Sequence, residues 1–176
     1  MKSVFRMFLL AAAVVSALPS PSFAQTANLK AEVLKDWTDM KDTMMKIAAE
    51  MPEDKYGFKS TPPQRSYAEQ VLHVATVNMA LLQTVGGKAP APAINAKATT
   101  KADVMKAMAD TFDYGTALIN EHTPESITQT VNARFLGQSS RLRIFYFLNS
   151  HTMDIYGQMV VYLRLNGHVP PASQRP

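Results

Sequence analysis

The chain has 176 residues, no cysteine and a formal net charge of +4. The lack of cysteine excludes thiolate nucleophiles, cysteine-ligated metals and disulfide bonds. Two of the basic residues, Lys2 and Arg6, lie in an N-terminal segment that we expect to be removed. What remains is close to neutral and has no basic cluster, so we expect no nucleic-acid partner.

The first 24 residues have the pattern of a secretory signal peptide. The two basic residues are followed by an apolar stretch from Phe8 to Leu18, and Ser22-Phe23-Ala24 fits the small-x-small cleavage rule. The apolar stretch is shorter than the ~20 residues of a transmembrane helix, which favours cleavage after Ala24 over an uncleaved anchor. We therefore predict one exported domain over residues 25–176, in a bacterial periplasm and without membrane contact after cleavage.

A first amphipathic helix is predicted from about Ala27 to Glu50. Apolar residues recur there at steps of three and four, which places them on one face: Leu29, Val33, Trp37, Met40, Met44, Ile47 and Met51. Pro52 ends this helix, because proline lacks an amide donor and biases the preceding residue out of the helical region.

The second helix is predicted to begin at a capping box, Ser66-Tyr67-Ala68-Glu69. It is apolar nearly all round until Gly86-Gly87, which is consistent with two buried faces. An Ala- and Pro-rich linker over residues 88–99 precedes a third helix from Thr100 to about His122. The predicted buried stripe of this third helix is Val104, Met108, Phe112, Gly115 and Leu118 or Ile119.

Residues 125–138 are predicted to form either a short helix or an extended arm packed on the bundle. A fourth helix is expected from about Ser139 to Asn166, where Asn166-Gly167 provides a C-terminal stop. Its inward stripe is Ile144, Leu148, His151, Ile155, Met159 and Tyr162. Four amphipathic helices without strand-like alternation predict an all-α four-helix bundle.

Two histidines are the main candidates for chemistry. His151 lies on the inward stripe of the fourth helix, and His73 lies in an apolar part of the second. A buried imidazole needs either a hydrogen-bond partner or a metal, and imidazole is a common ligand for zinc, nickel, iron and copper. From the residues alone both outcomes stay open, and a hydrogen-bonded core histidine is the commoner one.

Other residues are weaker candidates for a functional site. Glu69 is expected to serve the capping box, and His122 and His168 to be structural or solvated. Several tyrosines could line a pocket with Arg65, Arg143 and Arg164, since arginine can pair bidentately with a carboxylate or phosphate. No Gly-x-Ser-x-Gly motif is present, so a serine hydrolase of that type is excluded.

The stretch from His151 to Ser173 resembles the last helix of the DinB-like superfamily of four-helix bundles. The likeness is clearest in Tyr156-Gly157-Gln158, which precedes Tyr162-Leu163-Arg164 and the pair Pro170-Pro171. Further matching stretches lie at 51–59, 65–66, 72–75 and 135–137. The resemblance therefore covers nearly all of the predicted mature chain.

In that family, two histidines four residues apart on the last helix join a third from an earlier helix to hold a divalent metal. The resemblance implies that His73 and His151 are metal ligands and that Ile155, which cannot ligate, occupies the third position. Asp154 is a candidate replacement for the missing ligand. The metal implied is Zn, Ni, Mn or Fe.

Some members of the family are metal-dependent transferases or isomerases that act with small thiols, and many have no known activity. The resemblance thus implies, if the protein is an enzyme, a metal-dependent transferase or hydrolase acting on a small molecule. Two alternatives stay open. One is a bundle that binds a small ligand without chemistry, and the other is a structural bundle that forms a homodimer through exposed apolar helix faces.

Overall fold

The computed structural model describes residues 21–174. Four helices account for most of this part of the chain: α1 over Pro21–Glu50, α2 over Tyr67–Val85, α3 over Lys101–Glu121 and α4 over Arg141–Leu165. Most of the predicted signal peptide lies outside the described residues, so export stays a prediction. The helix α1 begins at Pro21 rather than Ala27 and therefore runs across the predicted cleavage junction.

The four helices form a bundle in which α1 and α2 each pack against both α3 and α4. All the predicted apolar stripes face the core, and most of their members are fully buried. The second helix is buried on two faces, as its all-round apolar sequence indicated. Within residues 21–174, no helix combines the length and apolar character that a membrane span requires.

Local end signals position the helices. At the start of α2, Ser66 Oγ accepts from the Glu69 amide at 3.2 Å, and the Glu69 carboxylate accepts from the Ser66 amide at 2.6 Å. This confirms the predicted capping box. The hydroxyls of Thr100 and Ser140 likewise accept from amides in the first turns of α3 and α4.

Trp37 of α1 is packed closely in the core. Its indole Nε1 donates to the Phe112 carbonyl oxygen at 2.8 Å, and its ring lies edge-on to Phe145 with centroids 5.4 Å apart. A Cβ atom at Gly115 would lie 2.5 Å from the Trp37 ring. Glycine is therefore required at this position because the indole lies directly against the α3 backbone.

A small antiparallel sheet corrects the expectation of a purely α-helical domain. The strands β1, Thr130–Ala133, and β2, Gly137–Ser140, pair with Thr130 opposite Ser140. Of the two alternatives for this region, the extended arm is closer to the structure. Strands of four residues are too short to show a clear period of two, and only Ala133 and Ser139 of their residues are buried, so the sequence carried no strong strand pattern.

Candidate functional site

The two candidate histidines meet between α2 and α4. His73 and His151 are both half-buried, and their Nε2 atoms lie 3.1 Å apart. The ring centroids are 5.0 Å apart, and the planes are tilted by 63°. Because two lone pairs would repel at this distance, one Nε2 must carry a proton and donate it to the other. We refer to these two residues as the histidine pair.

Aromatic rings cover one side of the histidine pair. Phe147, one turn before His151 on α4, stacks on the His151 ring with centroids 6.3 Å apart and planes within 13°. Phe135, from the turn between the two strands, packs edge-on against Phe147 at 5.8 Å. The hairpin thus contributes to the surroundings of the site. Phe147 is not among the residues predicted for the site, although it precedes His151 by four residues in the sequence.

Burial keeps the histidine pair neutral near pH 7. Desolvation, together with the positive charge of Arg65 and the neighbouring His151, lowers the pKa of His73 to about 4. Desolvation also lowers the pKa of His151, with Arg65 acting in the same direction and Asp154 opposing it. Neutral imidazoles can each donate one hydrogen bond and accept one.

The position of the remaining protons follows from burial. Nδ1 of His151 is buried and has no hydrogen-bond partner within the described part of the chain. A buried N–H without an acceptor is rarer than an under-used acceptor, so this atom is assigned the lone pair. Nε2–H of His151 then donates to Nε2 of His73, and the remaining N–H of His73 lies at its Nδ1.

The position that the family resemblance assigns to a third metal ligand is apolar. Ile155 is buried one turn after His151. Asp154 is exposed, and its Oδ2 accepts from the Gln158 side chain at 3.0 Å. Across residues 21–174, no cluster of three His, Cys, Asp or Glu side chains could hold a metal ion. The structure therefore joins His73 to His151 and does not add Asp154 as a third ligand.

The donors present fit the metal that the family implies only in part. Two nitrogen ligands on one tetrahedral zinc lie about 3.3 Å apart, close to the separation in the histidine pair. However, a catalytic zinc normally has three protein ligands. A ligating histidine also normally donates its other ring N–H to an acceptor, which His151 Nδ1 lacks. The donor set is incomplete in both respects.

An open groove of about 420 Å³ lies beside the histidine pair, along the first turns of α2. Only His73 of the pair lines it. The other polar or charged residues of its lining are Lys59, Gln64, Arg65, Glu69 and Thr76. We refer to it as the cationic groove, because Lys59 and Arg65 outnumber the single carboxylate of Glu69.

The remaining candidates have structural partners. His122 bonds through Nε2 to the Gly86 carbonyl oxygen at 2.8 Å and through Nδ1 to Ser126 Oγ at 3.2 Å, which ties the end of α3 to the end of α2. Arg143 donates to Ser139 Oγ. Of the three arginines considered as pocket residues, only Arg65 lines the groove beside the histidine pair.

Comparison with known proteins agrees with this architecture. A family model described as the DinB superfamily matches residues 36–159. A DinB-like protein from Bacillus cereus ATCC 10987 superposes with a TM-score of 0.67 at 18% identity, covering 79% of this chain and 93% of that chain. A DinB-like protein from Bacillus subtilis gives 0.62 at 15% identity, covering 82% and 99%. No curated protein matches the sequence. The family match spans more than half of the sequence, and the chain belongs to the DinB superfamily.

Proposed function

We propose that this protein binds a small molecule at the histidine pair through hydrogen bonds, without a tightly held metal. The proposal is supported by the 3.1 Å contact between the two Nε2 atoms, through which the Nε2 of each imidazole has a hydrogen-bond partner in the other ring. The adjoining groove has a volume within the usual range of small-molecule sites.

Three features of the site argue against strong metal binding, although the superfamily is known for it in general. Ile155 replaces the third ligand, and His151 Nδ1 has no acceptor that would orient the ring as a ligand. Arg65 supplies a positive charge that disfavours protonation of both imidazoles. The same charge disfavours a divalent cation at that position.

A second candidate is a metal-dependent transferase or hydrolase that acts on a small molecule. It is favoured by one observation, the Nε2 separation, which is close to that of two ligands on a shared tetrahedral metal. In this case His73 and His151 would hold Zn, Ni, Mn or Fe, and other donors would have to complete the coordination.

Elemental analysis and zinc titration distinguish the two candidates. We expect residues 25–176, purified without added metal, to contain little metal and to bind zinc weakly. Ile155→His adds an imidazole one turn from His151 and should raise zinc affinity by about a hundredfold or more. Ile155→Asn is the matched control, because it places a polar group at the same buried position without an imidazole.

The opposite result would support the enzyme. If the unaltered protein carried near-stoichiometric metal, and if His151→Ala removed it, small-molecule binding without a metal would be wrong. Zinc binding by the unaltered protein as tight as that of a protein with three histidine ligands would have the same meaning. Screening for thiol transfer and hydrolysis would then be justified.

We also propose that the protein is exported to a bacterial periplasm, on the basis of the signal-peptide pattern in residues 1–24. N-terminal sequencing of the protein from cells should begin at Gln25, and a sequence that begins at Met1 would contradict export by this route.

The homodimeric alternative would use the outer face of α4. Met153, Val161 and Leu165 are exposed there, and a monomer by light scattering would exclude it.

A further inference from the structure

We propose that the cationic groove binds an oxyanion, so that the small molecule carries a carboxylate or phosphate group. This inference rests on the proposed small-molecule binding at the histidine pair and adds the chemical class of the ligand. It is carried by three residues that line one groove and have N–H donors in their side chains, namely Arg65, Lys59 and His73.

The Arg65 guanidinium is available to a ligand. The residue is exposed, and within residues 21–174 its recorded hydrogen bond is at the backbone, where its carbonyl oxygen accepts from the Tyr162 hydroxyl, so the side chain is left unpaired. A guanidinium presents its N–H groups as a planar fork that matches the two oxygens of a carboxylate or phosphate. Arg65 and His73 both line the groove.

The segment that carries these cations is held in place before any ligand arrives. The Arg65 carbonyl oxygen accepts from the Tyr162 hydroxyl at 2.6 Å, which ties the segment to α4. Lys59 forms an isolated antiparallel bridge with Ser66, and the Tyr67 amide donates to the Phe58 carbonyl oxygen at 3.0 Å. An anchored backbone reduces the ordering cost of binding.

His73 contributes a neutral donor. Because Nε2 of His73 accepts from His151, its remaining proton lies at Nδ1, which has no hydrogen-bond partner among the described residues and is not among the buried unpartnered atoms. A ligand oxygen in the groove can therefore accept from His73. The histidine pair fixes which tautomer faces the groove, and this links the pair to ligand recognition without requiring a metal.

The single carboxylate in the groove is already occupied. Glu69 accepts from the Ser66 amide at 2.6 Å in the capping box, and Lys59 Nζ lies 3.5 Å from its Oε2. That separation is longer than a charge-assisted hydrogen bond, so Lys59 can turn toward an anion at small cost. The groove keeps an excess of positive charge when Glu69 is counted.

Binding to residues 25–176 is measured by calorimetry with inorganic phosphate, succinate and the neutral analogue succinamide. We expect saturable binding of at least one oxyanion and none of succinamide. Arg65→Gln should weaken binding about tenfold, because a charged bidentate contact is lost. Arg134→Gln, which removes the same charge from an exposed hairpin arginine, is the matched control and should bind as the unaltered protein does.

A preference for phosphate would identify phosphorylated ligands, and a preference for succinate would identify carboxylates. The inference is wrong if neither oxyanion binds saturably at millimolar concentrations, or if both arginine variants lose affinity equally. Imidazole NMR signals separate this failure from that of the proposed function. If succinamide shifts the His73 signals as strongly as the oxyanions do, the proposal of small-molecule binding is supported and the proposal of selectivity for anions is wrong.

Discussion

The packing around Trp37 and the histidine pair lie in the same bundle and differ in how completely their polar groups are satisfied. Trp37 is fully buried, and its single polar atom has a hydrogen bond of 2.8 Å. Among the described residues, five buried side-chain atoms lack a partner, and three of them belong to His151, Gln70 and Thr152 on α2 and α4; the other two, Oδ1 of Asn78 and Oδ1 of Asn149, belong to residues that also face α3 and α1. A buried polar group without a hydrogen-bond partner lowers the stability of the folded protein, and native proteins depart from such rules mainly at functional sites.

The largest effect is expected at the Trp37 side. Gly115→Ala places a Cβ atom 2.5 Å from the indole ring, and we expect it to lower the free energy of unfolding by about 3 kcal/mol, because neither the ring nor the α3 backbone can move freely. Urea denaturation measures the change. Gly157→Ala on α4 is the control, since no atom lies within 4 Å of its Cβ position.

The control should behave in the opposite direction. Alanine favours the helix over glycine, so that Gly157→Ala should raise stability by about 0.5–1 kcal/mol. Equal stability of Gly115→Ala and the unaltered protein would show that the core around Trp37 can accommodate an extra methyl group. The contrast between the two regions would then be wrong.

An intermediate effect is expected from pH at the histidine pair. The pKa of His73 is about 4 in the folded protein, below the ordinary value of 6.5, because burial disfavours its charged form. Between these values the unfolded chain binds more protons than the folded one, so stability is complete above about pH 6.5 and falls as the pH is lowered toward 4. Because solvent screens a half-buried imidazole, we expect a loss of roughly 1–2 kcal/mol.

Urea denaturation from about pH 7 to about pH 5 tests this dependence. His73→Gln should flatten it, whereas His168→Gln, which changes a histidine beyond the end of α4, should leave it unchanged. If the free energy of unfolding depended on pH in the same way in all three proteins, the histidine pair would not be the cause of that dependence.

The smallest effect is expected at Thr152. Its hydroxyl is buried without a partner, so Thr152→Val removes an unsatisfied group at nearly constant shape and should stabilise the protein by up to about 1 kcal/mol. Thr111→Val is the control, because the Thr111 hydroxyl donates to the Met108 carbonyl oxygen at 2.8 Å and its loss should destabilise. If Thr152→Val destabilised the protein as Thr111→Val does, the Thr152 hydroxyl would be hydrogen-bonded in solution.

Much of the fold could be predicted from local pattern. The apolar stripes of α1 and α4 and the Ser66 capping box are confirmed, because each depends on side chains within one or two helical turns. The strands β1 and β2 were missed, since a four-residue strand has little periodicity and is stabilised by its partner. The family assignment is confirmed by the match over residues 36–159.

The site was less predictable than the fold. Spacing on α4 indicated that His151 faces inward, and that prediction is confirmed, but it could not show whether Asp154 turns toward the histidine pair. The position of Arg65 beside His73 depends on the packing of residues 59–66 against α4, where the Tyr162 hydroxyl donates a hydrogen bond to the Arg65 carbonyl oxygen. The number of residues between Arg65 and Tyr162 in the sequence does not predict this contact.

The amino-acid pattern was enough to determine the helices and the inward direction of His151, because these properties depend on residue type and helical period. The family resemblance added the prediction that Ile155 occupies the position of a third ligand. Only the packed structure decided that the two Nε2 atoms lie 3.1 Å apart, that Asp154 points to the surface and that two cations share a groove with His73. These distances depend on how separate helices and a returning loop pack against one another, which is a property of the whole chain.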